Sequence, residues 1–84
     1  MKFNVEQNRI YYEENGKILA EITFIGDEDV LTINHTFVDD SLRGQGIASQ
    51  LVLEAVNEIK RQKKRVQASC SYALKWLKKH PEVE

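Results

Sequence analysis

Hydrophobic residues fall on alternate positions through the first 38 residues and on every third or fourth position after Gly46. The first pattern marks strands with one buried face, the second an amphipathic helix. From Arg9 to Glu14, Ile10 and Tyr12 share a face; from Lys17 to Ile25, Ile18, Ala20, Ile22 and Phe24 do so. Asn15-Gly16 lies between these runs. That dipeptide supplies the positive φ values of a two-residue hairpin turn, so the two strands pair antiparallel. Phe3 to Gln7 adds a short edge strand before them. Gly26 to Asp29 reads as a second turn, and Val30 to Val38 alternates again, with Leu31, Ile33, His35 and Phe37 on one side.

The period then lengthens. Ile47, Leu51, Ala55 and Ile59 stand four residues apart, flanked by Ala48, Val52 and Val56, as on a helix of four to five turns. Its basic end, Lys60, Arg61, Lys63 and Lys64, suits the negative pole of the helix dipole, and these charges read first as a solvated helix end. Arg65 to Cys70 reads as a strand with Val66, Ala68 and Cys70 facing inward. Ser71 caps a last helix through Lys79, and Pro81 stops it. A strand, helix and strand of these lengths imply a right-handed crossover, with the last strand parallel to the one ending at Val38. The expected fold is therefore α/β (α+β): an antiparallel meander, a helical crossover to a parallel strand, and a C-terminal helix.

With 84 residues, the chain fits one small domain, 1–84, near the lower limit for a core without staples. Twelve basic residues against 13 acidic give a net charge of -1, which provides no global attraction for nucleic acid or an anionic membrane. One cysteine forms no internal disulfide, and Met1 to Glu6 lacks the apolar core of a signal peptide. No run reaches the length of a membrane span, so a cytoplasmic location is expected. Two histidines and one cysteine, far apart, offer no familiar metal-ligand spacing.

Two glycines stand where the first helix begins, in Arg43-Gly44-Gln45-Gly46. A helix N-terminus carries unpaired N–H groups and partial positive charge, and glycine lets an anion approach closely. Arg43 adds a permanent charge beside it. The pattern fits neither a P-loop nor G-x-G-x-x-G, and taken alone it reads equally well as a plain turn.

In its context, Arg43-Gly44-Gln45-Gly46-Ile47-Ala48 resembles the Arg/Gln-x-x-Gly-x-Gly/Ala signature of the GNAT superfamily of N-acetyltransferases. It stands where that family carries it, between a strand and an amphipathic helix. "HTFVDDSLRGQGIASQLV" and "CSYALKWLKKHPE" further resemble the two hallmark segments of very small, single-domain GNAT-like proteins, over essentially the whole chain. The resemblance implies acetyl-CoA as cosubstrate. Its pyrophosphate would lie on Arg43, Gly44, Gln45, Gly46, Ile47 and Ala48, and its pantetheine arm would bond to Val38 and its neighbours. The chain departs from ordinary GNAT enzymes in lacking the paired N-terminal helices that build much of their acceptor site. Cofactor binding is thus implied more firmly than transfer to a given acceptor.

Acetyl transfer to an amine needs a proton acceptor and a donor for the developing oxyanion. His35 is a candidate base on the strand leading to Val38, or a packed histidine among Leu31, Ile33 and Phe37. Cys70 precedes a helix N-terminus, whose dipole lowers a thiol pKa, so it is a candidate nucleophile. It reads as well as a small buried residue, or as one that only touches the cofactor. Tyr72 is a candidate acid for the leaving thiolate, although Tyr72, Trp76 and His80 also form a core-like stripe, with Trp76 as packing. Lys63, Lys64, Arg65, Lys75, Lys78 and Lys79 are surface charges or a 3′-phosphate contact. Glu13, Glu14 and Glu21 offer attraction for a cationic amine.

The function expected is a GNAT-like N-acetyltransferase that moves acetyl from acetyl-CoA to an amine or thiol acceptor, through Cys70 in one version. The alternative is a non-catalytic CoA-binding module acting as a sensor or complex component. A nucleic-acid-binding domain has no charge excess or interleaved aromatics behind it. A monomer or weak dimer is expected, the edge strand leaving dimerisation open.

Overall fold

The computed structural model describes residues 1–83. Five strands form one sheet in chain order: β1 (Asn4–Glu6), β2 (Arg9–Glu14), β3 (Lys17–Gly26), β4 (Val30–Val38) and β5 (Arg65–Ala68). The first four pair antiparallel, and β5 pairs parallel to β4. Helix α1 (Ile47–Arg61) makes the crossover, and α2 (Ser71–Lys79) follows β5. This is the mixed sheet expected from the hydrophobic pattern. At the β2–β3 hairpin, Asn15 and Gly16 take φ of 51° and 79°, as the turn requires.

Both helices cover the same face of the sheet. Ile10, Ala20, Ile22, Phe24, Leu31 and Ile33 from the strands meet Ile47, Leu51, Val52, Ala55, Val56 and Ile59 of α1 and Ala73, Trp76 and Leu77 of α2. Burial of each large aliphatic side chain contributes about 1.5–3 kcal/mol, so α1 is held chiefly by this stripe. At its far end, Glu58 is buried and bonds Arg61 through Nη2 at 2.6 Å and Nε at 3.0 Å. Gln62 bridges Glu58 to the carbonyl of Gln7, tying the helix end to the β1–β2 turn.

Two β-bulges correct the faces expected from strict alternation. In β3, Tyr12 pairs with Ala20 but Glu13 with Ile18, so Leu19 is the extra residue. Leu19 is buried, and Ile18 passes to the other face. In β4, Phe24 pairs with Ile33 but Thr23 with His35, so Asn34 is the extra residue. Past it the inner face carries Thr36 and Val38, whereas His35 and Phe37 turn outward. An inserted residue reverses a period of two, which an alternation count does not detect.

Two smaller corrections concern ends. Strand β5 stops at Ala68 rather than Cys70, and Cys70, not Ser71, occupies the N-cap of α2.

Candidate active site

The site lies where β4 and β5 part. Their pairing ends at Ile33 and Ala68, and the amides of Ser69 and Cys70 both donate to the Ile33 carbonyl, at 2.9 and 3.3 Å. Strand β4 continues through Val38 without β5 beside it. Asp39 N donates to Leu19 O on the β3 side at 2.7 Å. Alternation along the strand therefore turns the peptide groups of Val38 and Thr36 toward the open edge.

A cleft of about 470 Å³ opens from this edge to the start of α1, lined by Thr36, Val38, Leu42, Arg43, Gly44, Gly46, Ile47, Ala48, Ser49 and Tyr72. The volume suits a small organic ligand. Asp39 shapes the approach: its carboxylate accepts from the Ser41 amide at 3.0 Å and hydroxyl at 2.7 Å, capping a 3₁₀ turn over Asp40–Leu42. Those two bonds, hydroxyl first, hold the Asp39 carboxyl below its usual range.

Gly44 and Gly46 take φ of 82° and 72°, and a Cβ on either would meet no atom of the described residues within 4 Å. Packing does not demand glycine there; the left-handed backbone does, and the space before it stays open. Gly46 is the N-cap of α1, no side chain caps the helix, and no acidic residue stands in its first turn. The positive end of a 15-residue helix thus faces the cleft uncompensated. Arg43 stands beside it in an exposed pair with Asp40 at 2.8 Å, an interaction of little strength that an anion can replace.

Cys70 is half-buried at the root of the split, its Sγ 3.6 Å from Thr36 Oγ1. Burial opposes ionisation of the thiol, but the amides of Ala73 and Tyr72 and the Thr36 hydroxyl outweigh it and hold the pKa below the usual thiol value. Tyr72 lines the cleft and is 40% exposed, which separates it from the buried Trp76 of the same stripe.

Most of the sequence-derived candidates therefore meet: Val38, Arg43, Gly44, Gly46, Ile47, Ala48 and Tyr72 share the cleft, and Cys70 adjoins it through Thr36. Gln45 is exposed and outside the lining. His35 is not brought to the cleft. Its ring lies on the outer sheet face, 3.9 Å from Glu21, which also binds Arg9 at 2.6 Å. The expected packing of His35 beside Leu31 and Ile33 is corrected by the Asn34 bulge. Lys63, Lys64 and Arg65 follow the opposite end of α1, about 22 Å along its axis from the cleft. Thr36, Leu42 and Ser49 line the cleft and were not singled out from sequence; knowledge of the bulge would have placed Thr36 inward. Among the described residues no cluster of three metal-ligating side chains occurs, and no helix is long and apolar enough to cross a membrane.

A family model described as GCN5-related N-acetyl-transferase matches residues 8–84, nearly the whole chain. The chain belongs to this family. Among solved structures, a GCN5-like protein from Staphylococcus aureus is 31% identical, with a TM-score of 0.77 over 98% of this chain and 82% of that one. A predicted acetyltransferase from Clostridium acetobutylicum, solved with acetyl-CoA, is 24% identical, with a TM-score of 0.64 over 86% of this chain and 55% of that one. A ribosomal-protein-alanine N-acetyltransferase from Brucella melitensis biovar Abortus 2308 is 14% identical, with a TM-score of 0.62 over 86% and 58%. The latter two support the GNAT fold alone, and this chain spans little more than half their lengths. Among curated proteins, none matches.

Proposed function

We propose that the protein binds acetyl-CoA in the cleft and transfers its acetyl group to an amine or thiol acceptor through Cys70. The observation that carries the reading is the uncapped, acid-free N-terminus of α1, opened by Gly44 and Gly46 and set beside the unpaired edge of β4. A diphosphate is the ligand this end suits: its oxygens accept from the amides at the start of α1, with Arg43 alongside. The pantetheine arm runs along β4, where the peptide groups of Thr36 and Val38 pair with its amides as a strand would. This directs the thioester toward the split and Cys70. Membership of the GCN5-related family supports the same cosubstrate.

In the transfer, the Cys70 thiolate attacks the thioester carbonyl; the new C–S bond forms at Sγ as the carbon–sulfur bond to CoA breaks. The departing CoA thiolate takes a proton from the Tyr72 hydroxyl, which regains it as the acceptor deprotonates. The acceptor then displaces Cys70 from the acetyl carbon. The thiol donates to Thr36 Oγ1, and once ionised the sulfur accepts from that hydroxyl, which favours the thiolate. His35 takes no part, because the bulge turns it away from the cleft.

Intact mass spectrometry after incubation with acetyl-CoA tests the reading. One added acetyl group, absent in Cys70→Ala, is expected. Acetyl-CoA binding without any adduct would remove the covalent step and leave direct transfer or the non-catalytic module.

A further inference from the structure

Strand β5 ends the sheet, and among the described residues no strand lies along its outer edge. The Arg65 amide donates to Asp29 O at 2.8 Å and the Ser69 amide to Ile33 O at 2.9 Å, so residues 65, 67 and 69 turn their peptide groups toward β4. Alternation then turns the N–H and C=O of Val66 and Ala68 to the open side. Among the described residues no backbone bond outside the ladders reaches either of them. Such an edge is a template for one more strand.

Two adjoining hollows run along this edge and share Val66. One, of about 300 Å³, lies between Val66 and Ala68 on the strand and Leu74, Leu77 and Lys78 on α2. The other, of about 310 Å³, lies among Lys60, Lys64, Arg65 and Val83. Leu74 is 42% exposed, so part of the apolar wall is uncovered. Among the described residues no acid lines either hollow, and no ion pair engages Lys60, Lys64, Arg65 or Lys78. The Asp27 carboxylate, which Lys64 also attracts, accepts from the amides of Asp29 and Val30 at 2.9 and 3.0 Å. In a chain of net charge -1, these cations ring one apolar groove.

We propose that this edge binds an extended segment of another protein, one that alternates apolar and acidic residues and adds to β5 as a further strand. Its amides and carbonyls pair with those of Val66 and Ala68, and its apolar side chains enter the two hollows beside α2. Its carboxylates meet the long basic side chains that flank the groove. A second copy of this chain does not suit the site, because two β5 edges side by side would oppose two sets of these cations. Nucleic acid suits it less, because a phosphate backbone has no N–H donor for the Val66 and Ala68 carbonyls. The groove shares no residue with the acetyl-CoA cleft, so the inference is independent of that reading.

The test is an NMR titration of the ¹⁵N-labelled protein with an acetylated, amidated heptapeptide that alternates glutamate and valine. The controls are the same peptide N-methylated at every amide, its counterpart with lysine for glutamate, and oligothymidylate. Saturable shifts are expected at Arg65 to Ser69, Leu74 and Lys78, with hydrogen exchange of the Val66 and Ala68 amides slowed at least about tenfold at saturation. Arg65→Glu/Lys78→Glu reverses two exposed charges and is expected to weaken the peptide about tenfold with a native circular dichroism spectrum. The N-methylated and lysine peptides are expected not to bind. No binding of the acidic peptide, equal binding of the N-methylated peptide or of oligothymidylate, or unslowed exchange at Val66 and Ala68 overturns the inference. Self-association of the protein through these same amides gives the edge to a second copy and overturns it too.

Discussion

Gly44 and Gly46 leave room for a ligand because none of the described residues fills the space before them. Gly46→Glu sets bulk and negative charge against the helix N-terminus. It should cost only about 1–2 kcal/mol of stability, the strain of a non-glycine residue at φ of 72°. Calorimetry is expected to find CoA affinity abolished in a variant whose circular dichroism spectrum is native. Retained affinity would remove the loop from the site. Cys70 makes a separate forecast. Its pKa is lowered, so its thiolate persists to more acidic pH than that of a free cysteine, near 8.5. The pH profile of its alkylation by iodoacetamide should have its midpoint below that of a peptide thiol. Thr36→Val removes the hydroxyl beside the sulfur and is expected to move the midpoint upward. An unmoved midpoint would leave Thr36 as lining alone.

Helix α1 joins site and scaffold: its N-terminus faces the cleft, and Glu58 anchors its other end through Arg61 and Gln62. Glu58→Ala removes the acceptor of the exposed Arg61 and one of the two acceptors of Gln62, and should lower stability by about 0.5–1.5 kcal/mol in urea unfolding. The same residue gives a pH dependence with a definite sign. The hydrogen bond from Arg61, with that from Gln62, lowers the folded pKa of Glu58 against the cost of burial. Its stabilisation is therefore complete above the unfolded value, about 4.3, and is lost as pH falls through the lowered folded value. Glu58→Gln should flatten that acid limb; an unchanged limb would mean that other carboxylates govern it. The elements were largely legible because Asn15-Gly16, the change of period after Gly46 and Pro81 are local signals. The bulges at Leu19 and Asn34 were not, since an inserted residue is visible only in the pairing partner. That one residue moved His35 out of the site and Thr36 into it.

Across the whole molecule, the helices close one face of the sheet and leave the other open around Arg9, Tyr11, Glu21, His35 and Phe37. The cleft joins the strand edge to the helix end. The signature and its position between strand and helix made the glycine loop at the start of α1 legible in sequence. The pairing of Trp76 with Ser49 was not, because residues 27 positions apart meet only through the packing of α2 on α1. The central claim is that acetyl-CoA spans this cleft from the start of α1 to the split between β4 and β5. Its most direct test is an NMR titration of the ¹⁵N-labelled protein with acetyl-CoA, following every backbone amide. The account predicts saturable shifts concentrated at Thr36 to Val38, Gly44 to Ser49 and Cys70 to Tyr72, with the outer face around His35 and Glu21 little changed. Shifts centred on the outer face, or none at millimolar ligand, would contradict it.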